Sequence, residues 1–195
     1  MTPEREERLR SVLACRQTNI TVVLENVFDP HNISAVMRTC DAVGIAELYV
    51  LNTKIPKHKK WGTKSSSSAQ KWLKIYQFTN ASDCLSHLRK KYERVLATHL
   101  DSAATGLYEL DLTGSIALVF GNEHDGVSAE IMNLADGNFI IPQVGIIRSL
   151  NISVACAVTL YEAYRQKKLK NAYDVPSLGE QEYQALWKEW SSNGD

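Results

Sequence analysis

Five short apolar runs constrain this chain more than any other feature: TVVLENV (21–27), LYVLN (48–52), RVLATH (94–99), IALVF (116–120) and NFIIP (138–142). Runs of this kind, with little alternation of apolar and polar positions, are strands buried on both faces. Segments of helical periodicity lie between them, at His31–Gly44, Ala81–Lys91 and Leu150–Lys170. Strands that alternate with helices specify a mostly parallel sheet with helices on both sides, an α/β fold. A chain of 195 residues is long enough for one substantial core and short for two. One main domain with appendages is therefore expected, and no internal repeat is visible.

The appendages are helical. Thr2-Pro3-Glu4 is a cap, a proline at the first helical position and an acid in the first turn, which together open a helix through about Ala14. Beyond Asn171 a Tyr-Asp-Val-Pro linker leads to a terminal helix with Tyr183, Leu186, Trp187 and Trp190 at helical spacing. The boundaries this suggests are an extension over 1–16, a main domain over 17–170 and a second extension over 171–195.

With 22 basic and 22 acidic residues, net charge says nothing about polyanion partners, so the distribution matters. From Leu48 to Ser82 there is no acid, while Lys54, Lys57, Lys59, Lys60, Lys64, Lys71 and Lys74 fall there with Trp61 and Trp72. That stretch is either a solubilising loop or a grip for a polyanion. The charged opening MTPEREERLR is no secretory signal and no apolar run reaches membrane-spanning length, which points to the cytoplasm and away from a membrane. Cys15, Cys40, Cys84 and Cys156 lack a C-x-x-C spacing, so they are expected as buried thiols, with no metal bound.

Three segments carry polar residues where a plain scaffold would not need them. In SIALVFGNEHDGVS, residues 115–128, a buried strand breaks into a turn with two glycines. The turn is either a ligand site at the carboxyl end of a strand, or an ordinary loop in which Gly126 takes a positive φ and Ser128 caps the next helix. In the helix His31–Gly44, Ile33, Val36, Met37, Cys40 and Val43 form the core stripe, and Ser34, Arg38 and Asp41 share another face. Arg38 is then a functional cation or a surface arginine paired with Asp41, and Asn32 a site residue or a helix cap. The third segment, IPQVGIIRSLNISVACAVTLYEAYR (141–165), runs from a strand end through a glycine-centred loop into a helix apolar enough to be buried for several turns from a deep start. Ser149 or Asn151 serves at least as its cap.

In order and spacing, N-x(5)-R-T-C-D-A-V-G, F-G-N-E-x-x-G-V-S and I-P-x-x-G-x-x-x-S-L-N-I-S-V-A resemble the three motifs of the SpoU class of RNA 2′-O-ribose methyltransferases. The likeness covers nearly the whole chain. Its departures are Gln143 for a usual methionine and Ile152 for a usual valine. The opening R-Q-x-x-I-T-V-V-L-E-N-V-x-x-P-H-N-I-S-A and both helical extensions are most similar to the members that methylate guanosine 18 in the tRNA D-loop.

The resemblance implies an α/β sheet whose carboxyl-terminal segment is threaded as a deep trefoil knot, against the general rule of un-knotted chains. It also implies a homodimer, S-adenosyl-L-methionine as methyl donor and tRNA as partner. Thr98, Gly121, Ile141 and Leu150 fall at its cofactor positions, and Arg38, Asn32, Glu123, Ser149 and Asn151 at its catalytic ones. A guanidinium does not normally deprotonate in a protein, so Arg38 is expected to stabilise a developing alkoxide or grip a phosphate. Asn32 would orient Arg38 or the ribose, and Glu123 position Arg38 or receive a proton. Lys57, Lys59, Lys60 and Lys64 become candidate RNA contacts. Arg8, Arg10, Arg16, Arg165, Lys167 and Lys168 on the outer helices join them. The alternatives are a ribose methyltransferase for ribosomal RNA or the anticodon loop, or an RNA-binding module of this fold without catalysis.

Overall fold

The computed structural model describes residues 1–58, 69–101 and 104–192. Seven parallel strands are β1 (Ile20–Glu25), β2 (Glu47–Leu51), β3 (Lys74–Phe78), β4 (Arg94–Thr98), β5 (Thr105–Gly106), β6 (Ile116–Phe120) and β7 (Gly137–Ile140). They form one sheet in the order β3-β2-β1-β6-β4-β7-β5. The helices are α1 (Pro3–Ala14), α2 (Pro30–Ala42), α3 (Ala81–Leu88), α4 (Ala129–Leu134), α5 (Ile152–Leu169) and α6 (Glu180–Ser192). The expected mostly parallel α/β sheet is the one observed.

Alternate residues of each central strand serve opposite cores, which is why the runs read as continuously apolar. Val22, Leu24, Leu118 and Phe120 pack with Ile33, Val36 and Met37 of α2 and Cys156 and Leu160 of α5. Val23, Ala117 and Val119 pack with Cys84, Leu85 and Leu88 of α3 and Ile131 of α4. Each fully buried Val, Leu or Phe contributes roughly 1.5–3 kcal/mol through removal from water. The predicted core stripe of α2 is the buried one. Its cap, however, is Asp29, whose carboxylate accepts from the His31 N–H at 2.8 Å, and not Asn32.

α1 and α6 pack on each other through a separate cluster of Leu9, Leu13, Leu178 and Trp190, with Trp72 and Trp187 against it. Cys40, Cys84 and Cys156 are buried and Cys15 half-buried, all as free thiols. Burial pushes Cys40 and Cys84 up to about 12, so neither is a thiolate at neutral pH.

Two expectations need correction. β3 and β5 were not legible as strands: β3 is a half-exposed edge strand inside the lysine-rich segment, and β5 is two residues long. α5 is not buried from a deep start. Its cap Asn151 is exposed, as are Val154 and Tyr161 on one face, while Ile152, Cys156, Leu160 and Ala163 face the core.

Candidate active site

A cavity of about 340 Å³ lies beyond the carboxyl ends of β4, β6 and β7. Crevices of this kind, at strand ends of open parallel sheets, are where such folds bind ligands. Phe120 and Phe139, edge to face with ring centres 6.2 Å apart, form part of its apolar floor with Ile152 and Ala155. Thr98 stands on one side, with its hydroxyl donating to the Val119 carbonyl at 3.3 Å. The turn Gly121–Gly126 forms a second wall and the 141–150 loop a third, through Ile141, Gln143, Arg148, Ser149 and Leu150. All four predicted cofactor positions therefore line one cavity, together with Glu123 and Ser149.

The turn is built on a glycine that sterics demand. A Cβ at Gly121 would lie 1.9 Å from the Gly126 carbonyl carbon and 2.1 Å from Val127 N. The returning backbone passes directly against residue 121, joined by mutual N–H to C=O bonds of 3.2 Å between Asn122 and Gly126. Gly126 takes the predicted positive φ, +69°, and the Ser128 hydroxyl caps α4 by accepting from the Ile131 N–H at 3.3 Å. The turn is thus a capped loop, and it forms one wall of the cavity.

Two residues that sequence reasoning missed hold the turn. Asn122, buried, accepts from the His124 and Asp125 N–H groups at 2.8 and 2.7 Å. Glu25, buried at the end of β1, accepts from the Ser128 N–H at 2.9 Å. An asparagine that opens a turn is the signal that would have found the first. A lone acid ending an apolar run was the signal for the second.

Glu123 is the carboxylate of this wall that other segments reach. The Asn32 amide donates to Glu123 Oε1 at 2.7 Å, and the Asn151 amide donates to Asn32 Oδ1 at 3.2 Å. Asn151 in turn accepts from the Ser153 N–H and hydroxyl at 2.8 and 2.6 Å as it caps α5. The structure thus joins all three sequence motifs in one hydrogen-bonded chain. Arg38 follows Asn32 by six residues, about 9 Å further along the α2 axis; it is exposed and does not line the cavity of its own chain. The alternative partner suggested for it, Asp41, has its carboxylate bonded to Arg16 at 2.5 Å.

Of the suggested RNA contacts, Lys59, Lys60 and Lys64 lie outside the described residues. Lys57 and Arg8 are exposed. Arg10 pairs with Glu6 at 2.8 Å and covers the Trp187 ring at 4.1 Å, Arg165 pairs with Glu162 at 2.7 Å, and Lys168 pairs with Asp174 at 3.3 Å. Arg16 and Lys167 must be withdrawn as surface cations. Arg16 is 0% exposed, bonded to Asp41 and the Ile45 and Trp72 carbonyls. Lys167 is 1% exposed, donating to Asn19 Oδ1 at 2.8 Å and the Thr113 carbonyl at 3.1 Å. Long stems let both cations bury their methylenes while the heads find oxygen partners.

The donor set suits S-adenosylmethionine. That molecule joins a flat heteroaromatic base, whose faces pack on apolar side chains, through a ribose to a sulfonium, an ammonium and a carboxylate. The cavity offers Leu150, Ile141 and Ile152 as apolar surface, Glu123 and Asp125 as carboxylates, and Arg148 as a cation. Among the described residues no cluster of His, Cys, Asp or Glu could hold a metal.

A parallel α/β sheet with a polar-rimmed cavity at its strand ends defines a class of α/β proteins built to hold a small molecule there. Comparison with known proteins narrows it: residues 19–161 match the SpoU rRNA Methylase family, and the chain belongs to that family. The tRNA (guanosine(18)-2′-O)-methyltransferase of Aquifex aeolicus is 39% identical over 188 residues, covering 96% of this chain and 89% of the relative. The crystal structure of the A. aeolicus TrmH/SpoU tRNA modifying enzyme superposes with a TM-score of 0.89, over 96% of this chain and 95% of that one. An AdoMet-bound rRNA methyltransferase from Sinorhizobium meliloti, 26% identical, superposes with a TM-score of 0.69 over 77% of this chain and 57% of its own.

Proposed function

We propose that this protein transfers the methyl group of S-adenosylmethionine to the ribose 2′-hydroxyl of guanosine 18 in the D-loop of tRNA. The observation that carries this reading is the Asn151–Asn32–Glu123 chain at the mouth of the cavity. It unites the family's three motifs at one point, in a chain that matches its tRNA-modifying relative through both terminal helices.

The bound cofactor supplies an electrophilic methyl group on a sulfonium. The protein has to bring the hydroxyl into line and manage its proton. Glu123, held by Asn32, is a carboxylate fixed at the cavity rim, placed to accept the hydroxyl proton or to orient the ribose. Arg38 stays charged and stabilises the developing alkoxide or grips the adjoining phosphate. Ser149 and Asn151 hold the 141–150 loop and the start of α5 around the methyl donor. Thr98, Gly121, Ile141 and Leu150 bound the cofactor.

Two larger features belong to the proposal. Strand order supports a threaded knot: β7 lies between β4 and β5, so the 107–115 segment returning from β5 to β6 must pass β7. α5, which follows β7, is bonded to that segment through Gln166 and Lys167. A homodimer is supported by the exposed apolar side chains Val144, Ile146 and Ile147 of the cavity loop and Val154 and Tyr161 of α5, more large apolar groups than a monomer surface usually shows on two consecutive segments. Residues 17–170 carry the chemistry, with Arg165 and Lys168 at the end of α5 and the exposed Arg8 of the extension 1–16 as cations toward RNA, while the extension 171–195 brings one lysine against five acids. Among the described residues no helix is long and apolar enough to cross a membrane, and a tRNA substrate fits a cytoplasmic enzyme.

Incubation with methyl-labelled S-adenosylmethionine and unmodified tRNA, followed by nuclease mapping, tests the reading. Label is expected in 2′-O-methylguanosine at position 18. Label in a base, or at a ribosomal or anticodon-loop ribose instead, overturns it.

A further inference from the structure

We infer that Phe28, paired with His124 at the rim of the cavity, is the platform on which the base of the methylated nucleotide stacks. The inference deepens the function proposed above and rests on it.

An exposed phenylalanine by itself carries little meaning, since single apolar side chains are common on protein surfaces. Phe28 differs in what surrounds it. Its ring, 52% exposed, meets the His124 ring edge to face, with centres 5.9 Å apart and planes at 64°. His124 lines the cavity and follows Glu123 in the turn. The two rings therefore come from the two segments that the Asn32–Glu123 bond ties together.

The backbone under Phe28 is tightly held. Asn26, in the left-handed region at φ 51°, accepts from the Thr53 and Lys54 N–H groups at 2.9 Å each. His58 Nε2 donates to the Val27 carbonyl at 2.8 Å, and Val27 itself is wholly buried. On the other side Asp29 caps α2. A large apolar ring is thus presented to solvent by a loop anchored on both sides, which lowers the ordering cost of stacking on it.

The occupant follows from connectivity. In a ribonucleotide the base is attached to C1′, next to the C2′ that bears the hydroxyl. A ring pair one residue from Glu123 is in reach of the base of the same nucleotide whose hydroxyl Glu123 and Asn32 receive. Single-stranded and looped RNA is commonly held by bases splayed onto Phe, Tyr, Trp or His rings, a contact that tolerates any base because each has a π face. The platform thus positions the nucleotide, while base identity is read elsewhere.

A double-mutant cycle tests this. RNA binding and turnover are measured for wild type, Phe28→Leu and Phe28→Trp on two tRNAs: one with guanosine at the target position, the other abasic there with its ribose intact. Phe28→Leu keeps apolar cover and removes the ring. It is expected to raise KM for the guanosine tRNA about tenfold, within the range for one base–aromatic stack, and to leave KM for the abasic tRNA unchanged. Phe28→Trp should behave as wild type, and S-adenosylmethionine affinity should be equal in all three. Equal losses on both RNAs, no loss on either, or a loss explained by a weakened dimer overturns the inference. If wild type methylates the guanosine tRNA and the cycle shows no coupling, only the Phe28 assignment falls. If wild type methylates neither RNA, the function and the platform fall together.

Discussion

Asn32 and Glu123 lie 91 positions apart in sequence and 2.7 Å apart in the fold, with the amide donating to the carboxylate. Because Asn32 also accepts from Asn151, one short side chain sets the orientation of groups from three segments. Asn32→Ala is expected to lower kcat about a hundredfold, the usual scale for removing one hydrogen-bonding group at a reacting centre. Cofactor affinity should stay near wild type. Calorimetry and single-turnover rates together decide it; a variant that loses cofactor affinity and rate in parallel refutes the assignment.

Arg38 and Leu150 separate chemistry from cofactor binding. Arg38→Ala should cost several orders of magnitude in turnover and leave S-adenosylmethionine binding near normal, since Arg38 does not line the cavity. Leu150→Arg should abolish cofactor binding by placing a second charge on the apolar wall. Equal losses of cofactor affinity in the two variants would contradict this division.

Three glycines rank by geometry. Gly121→Ala forces backbone atoms apart that now leave no room for a Cβ, and should destabilise the fold by more than about 3 kcal/mol. Gly126→Ala meets open space but must adopt φ +69°, a cost of about 1–2 kcal/mol. Gly145→Ala has nothing within 4 Å and should be near neutral. Thermal unfolding of the three gives the order directly, and a stable Gly121→Ala would mean the turn is looser than its contacts indicate.

Lys167 introduces a pH dependence. Burial lowers its pKa from 10.5 to about 8, with Asp111 opposing the shift. Below about pH 8 both folded and unfolded chains hold the proton and the cost of the buried charge is fully present. Between about 8 and 10.5 the unfolded chain binds more protons, so stability rises with pH, by an amount on the order of 3 kcal/mol. The buried Cys40 and Cys84 act oppositely above pH 9, so the contribution has to be read as a difference. Relative to Lys167→Met, wild type should gain stability from pH 8 to 10, and parallel curves would exclude the effect.

The lysine segment should show in salt dependence. Replacing Lys57, Lys59 and Lys60 with alanine is expected to raise KM for tRNA and flatten the log–log salt slope by roughly one unit for each phosphate no longer neutralised. Cofactor affinity should not move. An unchanged slope would assign RNA binding to the helical extensions.

What sequence revealed and what it hid divide along physical lines. Local devices were readable: the Thr2 cap, the Ser128 cap, the positive φ of Gly126 and the α2 core stripe each depend on a few neighbouring residues. β3 was not readable because an edge strand with one exposed face loses its apolar signature. Arg16 and Lys167 looked like surface charge because their partners Asp41, Ile45, Asn19 and Thr113 are distant in sequence. The motif residues Asn32, Glu123 and Asn151 could be named from pattern. Their mutual bonding, and the separation of Arg38 from the cavity, needed the fold.

The bond from Lys167 to Asn19 spans 148 residues, and those from Gln166 to Leu110 and Leu112 span 56 and 54. None can form until α5 has been synthesised, so the amino-terminal strand waits for most of the chain before its end is secured. Contacts at such separations incur their loop-closure cost early and return stability late, which slows folding and prolongs exposure of apolar strands. In a cell this protein's vulnerable interval is thus the one between the ribosome's completion of β6 and the docking of α5, and a chaperone that covers the IALVF strand would matter most there.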